Sequence, residues 1–281
     1  MSAEPRLRRG SVLAPGLSVV RHLVRSRAYD VYDAWSEERG SRVVAKTLRP
    51  ASRDDADAVR RLRREGRLLR QLAHPHLVRA YETLPGPPPV VVLETVTGET
   101  VAHLIDRRER RLGAAELAVL GLQLVSAVGY LHRHGWLHLD LKPSNLVAEA
   151  GRVKVLDLSL ARRPGRGKPG AGTWCYLAPE QAHGGELGPA ADVWGVGATL
   201  WEAATARQAF GEDDAEANAD GYPQLERRAE PVTRHRRLPP ELARALDACL
   251  EPDPAARPTL EQLTGMLRRV PGTPDLRRAG T

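Results

Sequence analysis

The first third of the chain is built from short apolar runs that alternate with polar segments. The runs 43–48 and 90–94 are rich in valine and are typical of β-strands. Between them, residues 54–73 begin with acidic residues and continue with arginines, the charge order that a helix dipole favours. Residues 1–16 are polar and contain Pro5, Gly10, Pro15 and Gly16, which predicts a flexible lead-in. The pattern therefore predicts a small sheet accompanied by one helix.

After Glu94 the apolar spacing changes to three and four residues. Residues 114–134 carry Leu117, Leu120, Leu124 and Val128 at this spacing, which predicts a long helix. We expect further helices near residues 190–206, 240–250 and 258–269. The fold class is thus α+β, with a small β-rich lobe and a larger helical lobe, and such a junction is expected to hold a nucleotide cleft.

Composition excludes several classes of protein. Of the 281 residues, 42% are apolar and 27% are charged, as in ordinary globular domains. The net charge of +7 is spread as arginine along the chain, which favours a solvated surface over a nucleic-acid partner. The only cysteines, Cys175 and Cys249, lack metal-ligand spacing and indicate a reducing, cytoplasmic compartment. The longest apolar stretch, 193–204, contains Glu202 and predicts no membrane anchor.

The most specific motif runs from His138 to Asn145 and reads H-x-D-L-K-P-x-N. Phosphoryl transfer needs a base at the acceptor hydroxyl, cations on the phosphates and oxygen ligands for Mg²⁺. With this motif the chain resembles the eukaryotic-type protein kinases. The resemblance implies that Asp140 is the base, that Lys142 contacts the transferring phosphate, and that Asn145 binds metal. Asp157, twelve residues later, resembles the second metal ligand.

The resemblance extends to the first lobe. Val44-Ala45-Lys46 resembles the strand whose lysine holds the α and β phosphates of ATP. Its glutamate partner is predicted independently, because Glu65 falls within the apolar stripe of the first helix, where a carboxylate needs a cation. The remaining residues that the resemblance implies at the nucleotide line the adenine pocket or the hinge between the lobes: Val31, Ala45, Leu93, Glu94 and Val96.

Four further residues are expected to have structural roles. Glu180, in Ala-Pro-Glu, resembles the family glutamate that pairs with the arginine found here as Arg257. Asp192 is expected to orient the backbone of the catalytic loop, and His138 to be a packed histidine that braces the cleft rather than an acid or base.

The phosphate-covering loop departs from the family pattern. Residues 22–30 contain no glycine, whereas the family uses glycines to bring backbone N–H groups against the nucleotide. The substitution predicts weak ATP binding, or compensation by the side chains of Arg25 and Arg27. Leu139 and Ser159 also replace an arginine and a glycine of the family, but neither change removes a base or a metal ligand.

The activation loop, residues 160–172, contains no Ser, Thr or Tyr and is rich in Arg, Gly and Pro. A phosphorylation switch needs a hydroxyl in this loop and an arginine to receive the phosphate, and Leu139 has replaced that arginine. We therefore expect a kinase that is not activated by phosphorylation of this loop. The composition also predicts mobility and an affinity for acidic segments. Thr173 is expected to bond Asp140 and Lys142 instead.

The resemblance favours a bacterial-like serine/threonine protein kinase that uses ATP and Mg²⁺ to phosphorylate protein hydroxyls. The predicted lobes are residues 17–95 and 96–270, followed by a tail, 271–281. Two alternatives stay open, a pseudokinase that acts as a nucleotide-binding or allosteric module, and a small-molecule phosphotransferase on a similar fold. The sequence does not specify the substrate, the upstream signal or the oligomeric state.

Overall fold

The structure is a computed structural model that describes residues 6–107, 111–211 and 221–274. The chain divides after Thr97 into two compact units. The boundary predicted from the sequence lies two residues earlier, after residue 95. The predicted tail falls partly outside the described residues, which end at Pro274.

The first unit is built on an antiparallel sheet of six strands in the order β1-β2-β3-β4-β6-β5. The strands are β1 (Val12–Ala14), β2 (Leu17–Arg25), β3 (Tyr29–Ser36), β4 (Ser41–Leu48), β5 (Ala80–Leu84) and β6 (Val90–Leu93). The sequence predicts a flexible lead-in over residues 1–16, and here the structure differs. Residues 12–14 form β1 because Gly16, at φ 70°, turns the chain back so that β1 pairs with β2.

Helix α1 (Ala56–Gln71) is the one helix predicted for this unit. Asp55 caps its first turn by accepting hydrogen bonds from the N–H groups of Asp57 and Ala58 at 2.9 and 3.1 Å. Its inner face buries Leu62 and Leu69 completely. Glu65 lies on the same face with 1% exposure, so the predicted carboxylate within the apolar stripe is present.

The second unit is mainly helical. Its helices are α2 (Val101–Arg107), α3 (Ala114–Arg133), α4 (Pro179–His183), α5 (Pro189–Thr205), α6 (Pro223–Glu226), α7 (Pro240–Cys249) and α8 (Leu260–Arg268). Strands β7 (Glu99–Thr100), β8 (Leu146–Glu149) and β9 (Arg152–Val155) form a small sheet, and β10 (Gly165–Arg166) pairs with β11 (Glu186–Leu187). The four helices predicted from spacing correspond to α3, α5, α7 and α8.

Helix α3 carries apolar residues on almost every side. By length and composition it is the one described helix capable of crossing a membrane, but 61% of that stretch is buried within the fold. Its buried leucines and valines pack against α5, α8 and β9. The helix therefore forms the core of the second unit and ends shortly before the loop that carries Asp140.

Candidate active site

The loop between α3 and β8 carries the predicted base. The carboxylate of Asp140 accepts a hydrogen bond from the Thr173 hydroxyl at 2.6 Å on Oδ1. On Oδ2 it accepts from Lys142 Nζ at 2.9 Å and from Asn145 Nδ2 at 3.1 Å. Lys142 Nζ also donates to Thr173 Oγ1. The structure thus brings together the three predicted catalytic residues and confirms the contacts predicted for Thr173.

Buried Asp192, on α5, holds the backbone of this loop. Its carboxylate accepts the N–H groups of His138 and Leu139 at 2.9 and 2.7 Å, and it lies 2.7 Å from His132 Nε2. Burial alone would raise the pKa of Asp192, but His132, together with His138 and the Leu139 N–H, holds the pKa below its usual value. The predicted orienting role of Asp192 is confirmed.

His138 is fully buried and braces the loop from within. Its Nδ1 accepts the N–H of Asp140 at 3.2 Å, and its Nε2 lies 3.1 Å from the carbonyl oxygen of Leu156. Both ring nitrogens therefore bond to backbone. This arrangement confirms the prediction of a structural histidine.

The predicted metal ligands lie at neighbouring ends of the β8–β9 hairpin. Asn145 precedes β8 and Asp157 follows β9, and the N–H of Leu156 donates to the carbonyl oxygen of Asn145 at 2.8 Å. The side-chain amide nitrogen of Asn145 donates to Asp140, at 2.9 Å from its carbonyl oxygen and 3.1 Å from Oδ2, so the amide oxygen takes no part in these two bonds. Asp157 adopts a left-handed backbone at φ 61°, a conformation that non-glycine residues rarely adopt.

An amide oxygen and a carboxylate are hard oxygen donors, and Mg²⁺ accepts one or two such protein ligands together with phosphate oxygens and water. Within the described ranges, no group of three or more His, Cys, Asp or Glu side chains is gathered as in an all-protein metal cage. The donor set therefore fits a Mg²⁺ ion shared with a nucleotide.

In the first unit, Lys46 and Glu65 form the predicted ion pair. Lys46 Nζ lies 2.9 and 3.0 Å from the two carboxylate oxygens of Glu65, and the two side chains are 5% and 1% exposed. Such deep burial makes each charge dependent on the other. The pair fixes α1 to β4.

Tyr29, the first residue of β3, lies beside this ion pair, and the sequence analysis did not identify it. Its ring centroid is 4.8 Å from Lys46 Nζ, and its hydroxyl donates to the Ala58 carbonyl oxygen at 3.1 Å. Burial raises the pKa of Tyr29, so the hydroxyl stays a neutral donor. Tyr29 thereby links β3, Lys46 and the first turns of α1. The alternating register of β3 was the only signal in the sequence, since it places Tyr29 on the face of Val31.

Strand register separates the predicted nucleotide residues into two groups. Val31 pairs with Lys46, and Leu93 pairs with Val44, so these four side chains share one face of the sheet. Ala45 lies on the opposite face, fully buried in an apolar cluster with residues such as Ala34 and Val92. The prediction that Ala45 contacts the nucleotide is therefore wrong, because the side-chain period of two makes Val44 the neighbour of Lys46 on that face.

The predicted hinge begins where β6 ends. Glu94 is anchored twice to Arg79, since its N–H donates to the Arg79 carbonyl and its carboxylate accepts the Arg79 N–H at 3.0 Å. Val96 lies two residues later, in a stretch with no regular secondary structure. The contact of both residues with adenine stays a prediction.

The glycine-free loop is a tight turn between β2 and β3. The N–H of Ser26 donates to the Tyr29 carbonyl at 2.9 Å and closes the turn. Arg25 Nε and Nη2 bind the two carboxylate oxygens of Asp30, both at 2.8 Å, and Asp30 is only 2% exposed. Burial would raise the pKa of Asp30, but Arg25 and His22 lower it below its usual value.

This pairing gives Arg25 on β2 a carboxylate partner on β3, whereas Arg27 is exposed in the turn between the two strands. The predicted phosphate contact therefore stays a prediction for both residues. Arg27 is the better candidate of the two, because Arg25 would have to leave Asp30 to reach a phosphate.

In the second unit, Glu180 and Arg257 form the predicted buried pair. Arg257 Nη1 and Nη2 bind the two carboxylate oxygens of Glu180 at 2.7 and 2.9 Å. The guanidinium also donates to three backbone carbonyls and lies over the Trp194 ring, 4.9 Å from its centroid. All its donors are used, which fits a structural role.

Two further residues join the segment around Thr173 to the rest of this unit. Gln181 Nε2 donates to the carbonyl oxygens of Leu139 and Ala171 at 3.0 and 3.1 Å. The Tyr176 hydroxyl donates to Glu202 on α5. In the sequence, Glu202 is an isolated charge within an apolar stretch, and that charge is the signal for a buried partner.

Comparison with known proteins gives a consistent result. A sequence profile of the protein kinase domain matches residues 27–266. The serine/threonine-protein kinase PkaA of Streptomyces coelicolor is 33% identical over 241 residues, which cover 82% of this chain and 43% of that protein. The probable serine/threonine-protein kinase PkwA of Thermomonospora curvata is 31% identical, over 81% of this chain and 31% of its own. The probable serine/threonine-protein kinase PknB of Lactococcus lactis is 29% identical, over 85% and 38%. The chain thus spans less than half the length of these relatives.

Proposed function

The chain belongs to the protein kinase family, and from this premise we propose that it is an ATP-dependent serine/threonine protein kinase. The observation that carries the proposal is the cluster around Asp140, in which Lys142, Asn145 and Thr173 all bond the same carboxylate. A carboxylate held by three donors has a fixed direction before substrate arrives. That is what a base for an incoming hydroxyl requires.

In this reaction Asp140 orients the hydroxyl of a serine or threonine and accepts its proton. Lys142, which lies 2.9 Å from Asp140, supplies positive charge to the phosphoryl group in transfer. Thr173 fixes the second carboxylate oxygen and links Asp140 to the segment that precedes α4. The bacterial relatives are known as serine/threonine-protein kinases or probable serine/threonine-protein kinases, which supports this choice of acceptor.

For ATP, we assign Lys46 to the α and β phosphates, with Glu65 holding the ammonium group in place. Val31, Val44 and Leu93 offer an apolar sheet face suited to adenine. Asn145 and Asp157 are the proposed ligands of Mg²⁺. When bound, Mg²⁺ neutralises phosphate charge during transfer.

A cytoplasmic location is part of the proposal. No disulfide bond joins Cys175 and Cys249, which supports a reducing compartment. Burial raises the pKa of Cys249 to about 12, so this thiol is chemically inert.

The glycine-free turn favours a second candidate function, a pseudokinase that binds nucleotide without transferring phosphate. Arg25 is engaged by Asp30, and the turn has no glycine to let its backbone approach a phosphate closely. Phosphotransfer is nevertheless preferred, because the lysine, the base and both metal ligands are retained.

The product of the reaction distinguishes these functions. The purified chain is incubated with Mg²⁺, γ-labelled ATP and a mixture of casein and histone, and the labelled protein is hydrolysed to its phosphoamino acids. We expect phosphoserine and phosphothreonine, and none of either with Asp140→Asn. Nucleotide binding without labelled product would identify a pseudokinase, and equal labelling by Asp140→Asn would contradict the role of Asp140.

A further inference from the structure

Arg163 in the activation loop occupies a seat formed by the end of helix α3. The helix ends at Arg133, and the next three residues are His134, Gly135 and Trp136. Arg163 Nη1 donates to the carbonyl oxygen of His134 at 2.6 Å, and its guanidinium carbon lies 4.5 Å from the centroid of a Trp136 ring. We call His134, Gly135 and Trp136 the Arg163 seat.

Three physical features favour a guanidinium at this position. The last carbonyls of a helix lack intrahelical partners, and the negative end of the helix dipole attracts a cation. The Trp136 ring adds a cation–π contact. A planar guanidinium satisfies both, because it donates along its edge while its face lies on the ring.

Gly135 makes room for this contact. Its φ of +74° is the left-handed conformation common after a helix end, and its N–H donates to the His132 carbonyl at 2.8 Å. A Cβ at Gly135 would lie 2.1 Å from Arg163 Nη1. The glycine therefore serves both the helix terminus and the approach of the arginine.

The Arg163 seat connects two segments that contain residues of the proposed active site. On one side, residue 137 begins the loop that leads to Asp140. On the other, Arg163 lies six residues after Asp157 and ten before Thr173. The backbones also pair here, since Leu137 and Arg162 exchange hydrogen bonds of 2.8 and 3.1 Å. Arg162 folds back on its own loop, donating to the carbonyls of Arg163 and Arg166.

We infer that the Arg163 seat holds the activation loop in place without a phosphate. In a phosphorylation switch, a loop phosphate binds an arginine of the catalytic loop. Here the cation comes from the activation loop and its acceptors from the end of α3, so the hold is present as soon as the chain folds. Arg163 is a positioning residue, acting through the loop on the protein substrate. The effect of Arg163 on catalysis rests on the proposed function. The contact that holds the activation loop does not depend on it.

The test compares Arg163→Ala with Arg166→Ala, which removes the same charge from another exposed position of the same loop but leaves the contacts with His134 and Trp136 in place. Amide hydrogen exchange is measured over residues 160–172 with the full chain, and kcat/KM is measured for a protein acceptor. Arg163→Ala should speed exchange by about tenfold and lower kcat/KM for the protein acceptor by a similar factor, with KM for ATP unchanged. Arg166→Ala should change neither. Arg163→Lys, which keeps the cation but not the planar group, should restore part of the protection.

A second variant tests the same contact by changing Trp136 instead of Arg163. Trp136→Leu keeps an apolar side chain but removes the ring, and it should also raise exchange in residues 160–172. Unchanged exchange in both Arg163→Ala and Trp136→Leu would overturn the hold. Faster exchange with an unchanged kcat/KM would overturn its part in catalysis. An inactive wild-type chain would contradict the proposed function, while the exchange measurement would still decide the hold.

Discussion

Asp157, Lys46 and Asp140 have different proposed roles, so the replacement of each has a different consequence. Asp140 receives hydrogen bonds from three side chains. Replacement by asparagine keeps the size of the side chain but removes the proton acceptor. Replacement of Asp157 by alanine instead removes a proposed metal ligand. Replacement of Lys46 by methionine removes a proposed phosphate contact and leaves Glu65 buried without its cation.

We therefore predict that Asp140→Asn, Asp157→Ala and Lys46→Met each lower phosphotransfer by about a hundredfold or more. Asp140→Asn should keep the thermal stabilisation that Mg²⁺ and ATP confer, whereas Asp157→Ala should lose most of it. Transfer rates and thermal shifts on the same preparations measure both effects. Full stabilisation of Asp157→Ala by Mg²⁺ and ATP would contradict its role as a metal ligand.

Replacing Arg25 should mainly affect stability, whereas replacing Arg27 should mainly affect ATP affinity. Removing Arg25 takes the bidentate partner from buried Asp30, so Arg25→Ala should lower the free energy of unfolding by about 1 to 3 kcal/mol. Arg27→Ala should leave stability unchanged, because the side chain is exposed, but should weaken apparent ATP affinity if it contacts phosphate. Denaturant unfolding and ATP titration separate the two effects. Equal stability of the two variants would show that the Arg25–Asp30 pair contributes little.

At the residue scale, the sequence predicted contacts that depend on charge and burial. Glu65 was assigned to Lys46 because a carboxylate in an apolar stripe needs a cation, and Thr173 was assigned to Asp140. Tyr29 was missed, because its role depends on a cross-strand register and on the approach of α1, neither of which is local in sequence. Ala45 was misplaced by one residue, which in a strand exchanges the two faces.

Among the elements, the contact between α5 and the segment after Thr173 contains an unusual carboxyl group. The pKa of Glu202 is raised to about 7, because burial raises it more than the hydrogen bond from the Tyr176 hydroxyl lowers it, and the charge of Asp106 on α2 adds to the rise. Gln208 Nε2 donates to the same hydroxyl at 3.3 Å. The folded chain therefore favours the protonated form of Glu202.

This contact predicts a specific pH dependence of stability. Between the ordinary glutamate pKa of 4.5 and the folded value of about 7, the folded chain binds more protons at Glu202 than the unfolded chain does. Stability from this group is complete below pH 4.5 and is lost as the pH rises towards 7. Glu202→Gln can still accept from Tyr176 and should remove this loss, so its unfolding free energy should fall less over that range than that of the wild type. Identical pH profiles would contradict the assignment.

Element prediction succeeded where the apolar pattern is long. Helices α1, α3, α5, α7 and α8 each extend over nine or more residues, and their spacing was sufficient. Strands β10 and β11, with two residues each, have no periodicity of their own and exist because they pair with each other. The activation loop was predicted to be mobile from its glycine and proline content, yet it makes defined backbone and arginine contacts.

For the whole molecule, the account predicts a kinase that is active without phosphorylation of its activation loop. Residues 160–172 contain no hydroxyl side chain, and Thr173 is committed to Asp140 and Lys142. The contacts that a phosphate would supply elsewhere are replaced by the Arg163 seat and by Gln181. Activity should therefore be a property of the folded chain together with ATP and Mg²⁺.

The most direct test is the initial rate of phosphate transfer by phosphatase-treated chain, measured with Mg²⁺, ATP and a protein acceptor. The phosphatase is removed before the assay, and Asp140→Asn is the matched control. We predict that treated and untreated wild-type chains transfer phosphate at the same rate, and that Asp140→Asn is slower by about a hundredfold or more. A treated wild-type chain that is no faster than Asp140→Asn, and that regains its rate on phosphorylation of Thr173, would contradict the account.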